Sequence, residues 1–134
     1  MTLDLTILSM AKGLAAHSGR RQSLISENIA NADTREFRAR DLKPFSEVYE
    51  GGDGGAFAAK ATRTGHAGYS ESATPPGFRP VHIAKLGADS PNGNNVSLED
   101  QMSRGAQAAL HHDMAVTILK KTMDLLRMGI GRGR

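Results

Sequence analysis

Residues 96–130 read VSLEDQMSRGAQAALHHDMAVTILKKTMDLLRMGI, and the spacing of their apolar side chains decides the architecture. Met102, Ala109, Val116, Met123 and Ile130 follow one another at seven-residue intervals, and Leu119 and Leu126 stand at the companion positions. A row of this kind over about four heptads predicts a helix that packs lengthwise against another helix. Gly105 and His112 weaken its upper part. Methionine at such positions fills irregular gaps in a core far more often than it lines a cofactor box. Periodicity alone leaves open whether the second helix belongs to the same chain.

The limits of this helix are marked locally. Pro91-Asn92-Gly93-Asn94-Asn95 is a breaker cluster, and Ser97 followed by Asp100 resembles a capping box with Asp in place of Glu. Glycines at 129, 131 and 133 predict fraying beyond residue 130. A second helix is expected from residue 3 to about residue 32, where Leu3, Ile7, Met10, Leu14, Leu24, Ile25 and Ile29 recur at three- and four-residue steps. His17, Ser18 and Arg21 interrupt its stripe, and Gly13 and Gly19 each cost about 1 kcal/mol relative to alanine.

Between the helices large side chains are scarce. Residues 51–95 hold only Phe57, Tyr69, Phe78, Val81, Ile83 and Leu86 as large apolar or aromatic groups. Ordering a residue costs roughly 1–2 kcal/mol of backbone entropy, so this stretch has little burial to offset it without a neighbour. Gly51-Gly52-Asp53-Gly54-Gly55 reads as a linker and Thr74-Pro75-Pro76-Gly77 as a turn. Residues 79–84 and 56–62 are short strand candidates.

Of 134 residues, 4% are aromatic, none is tryptophan and 15 are glycine, which argues against a self-sufficient globule. Cysteine is absent, and with it disulfides and thiolate chemistry. The first residues lack a basic segment before an apolar run, so no secretory signal peptide is expected, and no stretch approaches the roughly 18 apolar residues of a membrane span. A net charge of +3, from 17 basic and 14 acidic residues, is too small to define a partner. No catalytic, cofactor or metal site is expected. His111-His112-Asp113 occupy adjacent helix positions that point about 100° apart, and residues 51–55 lack the Lys and Ser or Thr of a phosphate loop. The Arg127 to Arg134 tail offers a nucleic acid charge but no aromatic stacking partner, so no nucleic-acid ligand is expected.

Asn28-Ile29-Ala30-Asn31-Ala32-Asp33-Thr34, closing the first helix, resembles the signature shared by axial proteins of the bacterial flagellar rod and hook. In that family an extended stretch follows, here Arg35-Glu36-Phe37-Arg38-Ala39-Arg40-Asp41-Leu42, and its last five residues are most similar to proximal rod members. Thr62 and Thr64 before His66, and Asn92-Gly93-Asn94-Asn95-Val96-Ser97-Leu98-Glu99 opening the last helix, resemble further family segments. The short chain favours a proximal rod member over the longer distal rod and hook proteins. One departure stands out: the family places Pro-Gly after the Asp-Thr pair, and this chain has Arg35-Glu36. Without proline the first helix is free to run further or to turn by another device.

The resemblance implies a mainly α fold in which long N- and C-terminal helices form an antiparallel, coiled-coil-like pair, with a Gly/Pro-rich extended insert holding a short β-hairpin. Its parts would be an axial helix at 1–34, an extended motif and insert at 35–95, a second axial helix at 96–130 and a frayed tail at 131–134. It further implies a structural subunit of the proximal rod, within the periplasm, exported by the flagellar type III apparatus and ordered on assembly. The partners implied are other proximal and distal rod proteins, the rod-to-ring adaptor, the membrane-embedded ring, copies of itself and the export apparatus. Subunit packing would fall to Ile7, Leu14, Ile25, Asn28, Ile29, Asn31 and Thr34 on the first helix and its exit. On the last helix it would fall to Met102, Ala109, Val116, Leu119, Met123, Leu126 and Ile130. From residue types alone Asn28 and Asn31 admit two readings, amides in a helix seam that fix register or the capping residues of a plain helix end.

Overall fold

The computed structural model describes residues 2–51, 78–83 and 90–131. Five elements lie among them: α1 at Thr2–Ala30, β1 at Arg40–Asp41, α2 at Phe45–Gly51, β2 at Val81–His82 and α3 at Leu98–Gly131. The strand candidate at 56–62, the turn at 74–77 and the Thr62, Thr64 and His66 pattern lie outside the described residues.

The two long helices run antiparallel. Asn28 near the end of α1 bonds Gln101 near the start of α3, and the Ala15 carbonyl midway along α1 meets His112 midway along α3. Their contact is built from small residues. Gln101, Ala108, Ala115 and Thr122 are buried on α3 at seven-residue steps, and Ala11, Ser18 and Ile25 are buried on α1 at the same interval. A heptad seam is therefore present, but on α3 it falls one residue before the row of large apolar side chains. Small residues let the backbones approach closely, whereas Met102 or Met123 in the same place would hold them apart. Gly105 faces Ile25, where an added Cβ would make an ordinary contact with Cγ2 at 3.7 Å. The buried hydroxyls cost little because Ser18 and Thr122 return their protons to carbonyls of their own helix, Leu14 at 2.7 Å and Ile118 at 2.8 Å.

The exit from α1 resolves the Arg35-Glu36 departure. The helix ends at Ala30 and a succession of turns carries the chain to Thr34. Phe37 N–H then donates to Thr34 O at 3.3 Å, and Glu36 adopts φ of 58°. A positive φ at the third residue of a four-residue turn defines type II, a position that favours glycine. The tight turn is thus kept without its usual residues, at a cost of about 1 kcal/mol for a side chain in the left-handed region. Glu36→Gly is expected to stabilise the folded chain by no more than about 0.6 kcal/mol, relief of that strain less about 0.4–1 kcal/mol for the entropy of a freer unfolded chain. The measurement is the osmolyte concentration that brings the purified chain to half-maximal helicity.

β1 and β2 pair antiparallel, Arg40 opposite His82 and Asp41 opposite Val81. The ribbon therefore ties the extended motif after α1 to residues inside the insert, instead of lying wholly within the insert. Val81–His82 falls inside the strand expected at 79–84. α2 was not expected. It begins behind Pro44, whose carbonyl takes the Val48 N–H, and its Phe45 and Tyr49 share one face with ring centroids 5.8 Å apart.

Candidate functional site

Three asparagines and a glutamine clamp the end of α1 to the start of α3, and a fourth asparagine shapes the helix exit. Asn28, 1% exposed, gives one amide proton to Arg40 O at 2.7 Å and the other to Gln101 Oε1 at 2.9 Å, and its Oδ1 accepts from Arg40 N–H at 3.0 Å. The carboxamide thus pairs with the main chain of β1 as a neighbouring strand would, while also fixing α3. Such a group is stable in a buried place because its donors are all used. Asn31 plays the other role. Its Nδ2 donates to Glu27 O at 2.8 Å and its Oδ1 accepts from the Thr34 hydroxyl at 3.1 Å, which makes it part of the helix end. The two readings left open by the residue types are both used, one by each asparagine.

The partner side of the clamp comes from the segment before α3. Asn94 Nδ2 lies 2.8–2.9 Å from the carbonyls of Asn31, Ala32 and Thr34, so its amide protons are shared among carbonyls at the exit of α1. Its Oδ1 accepts from Val96 N–H at 2.7 Å, closing a local turn. Asn95 joins the two strands' flanks: Oδ1 takes Ala39 N–H at 2.6 Å and Nδ2 gives to Ile83 O at 3.1 Å.

Below the clamp lies a buried ion cluster. Arg21 of α1 grips Asp41 with two bonds of 2.8 Å, and Arg104 of α3 reaches the same carboxylate at 2.9 Å. Arg104 is itself held by Asp100 at 2.7 Å. Burial alone would raise the Asp41 pKa, but hydrogen bonds from Arg21, the Leu42 N–H and Arg104 outweigh it and hold the carboxyl below its ordinary 3.8. Arg40 and Glu27 form a further ion pair on the exposed side.

His17 closes the other end of this region. Its Nε2 is 2.8 Å from Lys43 O, and its ring lies against Phe45 and Phe78 with centroids 5.6 and 5.9 Å away. Burial lowers its pKa, aided by Arg21 and His111 and opposed by Lys43 O and Asp41. The pH dependence follows in two stages. A histidine depressed below 6.5 makes the unfolded chain the better proton acceptor, so stability falls as pH drops below about 6.5 and levels off under the folded value. Asp41 contributes fully above 3.8, and that contribution is lost as pH falls through its lower folded value. Circular dichroism under partly stabilising osmolyte should show both steps, and His17→Gln, which keeps a donor for Lys43 O, should remove the first.

The residues expected to pack subunits divide between two settings. Ile25 and Asn28 are buried against this chain's own α3 and β1, and Leu14, Asn31, Ala109, Val116 and Leu119 are half-buried. Ile7, Ile29, Thr34, Met102, Met123, Leu126 and Ile130 are exposed, Met102 by 64% and Ile130 by 82%. Gln101, Asn94, Asn95, Asp41, Arg21 and Arg104 were not singled out by sequence. Their signal was the seven-residue interval from Gln101 to Ala108, and the density of amides before α3. Among the described residues no group of three or more His, Asp or Glu is placed to hold a metal, and no helix is long and apolar enough to cross a membrane.

An antiparallel pair of long helices is thus latched by buried amides, with a second apolar row left outside. No family model matches the chain. It is similar to the flagellar basal body rod protein FlgB of Agrobacterium fabrum, 26% identical over 112 residues that cover 84% of this chain and 83% of the relative. The likeness supports a structural protein of the flagellar rod and agrees with the resemblance read at residues 28–42.

Proposed function

We propose that the chain is a structural subunit of the proximal rod, assembled in the periplasm by lateral helix packing, where it transmits torque and lines the export channel. The observation that carries this reading is the doubled heptad row of α3. Gln101, Ala108, Ala115 and Thr122 are used up against α1, while Met102, Met123, Leu126 and Ile130 remain outside in a chain similar to a rod protein. A row of large apolar groups that its own chain does not cover gains stability only from a neighbour. In the proposal those neighbours are copies of the chain and other proximal and distal rod proteins, with the rod-to-ring adaptor and the membrane-embedded ring as further partners. Export through the flagellar type III apparatus in an unfolded state fits the thin core, because among the described residues four of the seven buried hydrophobic ones are alanine. A different axial protein of the same assembly is the nearest alternative, since it would carry the same helix pair.

Met123→Asp separates packing between chains from packing within one. The Met123 side chain is 45% exposed, so the charge stays solvated in the isolated chain and its osmolyte-induced helicity should change by no more than about 0.5 kcal/mol. In the assembled rod the same charge would be buried without a partner, and swimming should be lost. Full motility of this variant with normal rod number would exclude the exposed row as a subunit contact.

A further inference from the structure

The connection that holds the clamp contains an Asn-Gly peptide, Asn92-Gly93, the dipeptide most open to attack by its own main chain because glycine offers no side chain to hinder it. We propose that Asn92 is a modification site that ages only when the clamp is open, and that the aged chain cannot rebuild it. The reaction is intramolecular. The Gly93 nitrogen attacks Asn92 Cγ, a C–N bond forms, the side-chain nitrogen leaves as ammonia, and the Gly93 amide proton is lost as a five-membered succinimide closes. Water then opens the ring at either carbonyl, giving aspartate or an isoaspartate whose backbone runs through the former side chain.

The folded turn opposes the first step. Gly93 N–H donates to Ser90 O at 2.9 Å, so the attacking nitrogen is engaged. Among the described residues only Glu36 combines a side chain with positive φ, which makes the turn from Ser90 to Gly93, with Pro91 second, type I. That turn holds ψ of its third residue near 0° and directs the Gly93 nitrogen away from the Asn92 side chain. The Asn92 carbonyl is tied as well, accepting the Glu36 N–H at 3.0 Å. Asn92 itself lies exposed at the surface, so water reaches it once the turn loosens.

The consequence falls on the clamp. Isoaspartate adds one methylene to the main chain two residues before Asn94 and three before Asn95. Those two side chains bond carbonyls and an N–H at fixed places on α1's exit and the ribbon, at 2.6–3.1 Å. Gly93 cannot absorb the displacement freely, because it sits at φ of 72° with Glu36 packed over it. Plain aspartate at 92 leaves the backbone length unchanged and should be tolerated.

The test uses the full chain at mildly alkaline pH, held helical by osmolyte in one sample and unfolded by urea in another, with peptide mapping by mass spectrometry and isoaspartate detection. Release of ammonia at Asn92 should be at least about tenfold slower in the helical sample, the factor expected when reaction needs a local opening. After transfer to osmolyte, isoaspartate-92 chains should regain less helix than Asn92→Asp chains, which should match the parent. Equal rates in the two samples, or full recovery of helix by isoaspartate-92 chains, would overturn the proposal. Asn92→Gln, whose longer side chain closes a ring far less readily, should abolish ageing in urea. Its persistence at the parent rate would place the chemistry elsewhere and equally refute the assignment.

Discussion

Replacing Asp41 with alanine should destabilise the folded chain by about 3 kcal/mol, because it strands two guanidinium groups that now share one buried carboxylate. Asp41 is 3% exposed on its side chain, while Arg21 and Arg104 are 17% and 24% exposed. The arginines recover part of their hydration once freed, which places the effect at the low end for a broken buried pair. Three elements lose a shared anchor at once, α1 through Arg21, α3 through Arg104 and β1 through Asp41 itself. Asp41→Asn should cost less, since it keeps an acceptor and removes only the charge. The measurement is the osmolyte titration of helicity, and cells carrying Asp41→Ala should assemble few rods. A variant that folds and swims like the parent would mean that the cluster is a surface accident.

Asn28→Asp is expected to be nearly as severe although it alters a single atom. The amide nitrogen that gives protons to Arg40 O and Gln101 Oε1 becomes an oxygen, so the contact with the Arg40 carbonyl turns repulsive in a buried place and Gln101 must turn its amide to answer a buried charge. Asn28→Ala removes these two bonds and also the one that Oδ1 accepts, without repulsion, and leaves the Arg40 N–H and carbonyl without their partner. Each orphaned buried group costs about 1–3 kcal/mol, so a loss of at least about 2 kcal/mol is expected for alanine and more for aspartate. Asn31→Ala touches only bonds at the exposed helix end and should cost about 1 kcal/mol or less. The order Asp worse than Ala at 28, and both worse than Ala at 31, is the signature of the clamp. Helicity under osmolyte reads it directly.

The long helices were legible because periodicity and punctuation are local. Ser97, Asp100 and the Pro91 to Asn95 cluster place the start of α3 within two residues of Leu98. The face of α3 that meets α1 was not legible in the same way. Two rows with the same seven-residue interval run side by side, Gln101 to Thr122 and Met102 to Ile130, and hydrophobicity selects the larger one. Close approach selects the smaller, and only the shape of α1, with Ala11 and Ser18 buried on its facing row, decides it.

The clamp was less visible still. Asn94 and Asn95 read as breaker residues because their partners, the carbonyls after α1 and the ribbon flanks, are about sixty residues away in the chain or across the insert. Hydrogen bonds over such a span leave no local pattern. Asn28 stands out in the segment that resembles the axial-protein signature, but its pairing with Arg40 needs β1 to be in place. The turn at Glu36 shows the reverse case, in which a sequence departure leaves the backbone path unaltered at the expense of strain.

In the proposed packing an adjacent subunit covers the apolar row of α3 that is exposed in the single chain. A reconstruction of the intact basal body, at a detail sufficient to trace side chains, tests this most directly. The prediction is that this chain lies in the proximal rod with Met102, Met123 and Leu126 buried against an adjacent subunit and the Asn28 clamp intact within each copy. A rod in which that row faces water, or from which the chain is missing, would contradict it.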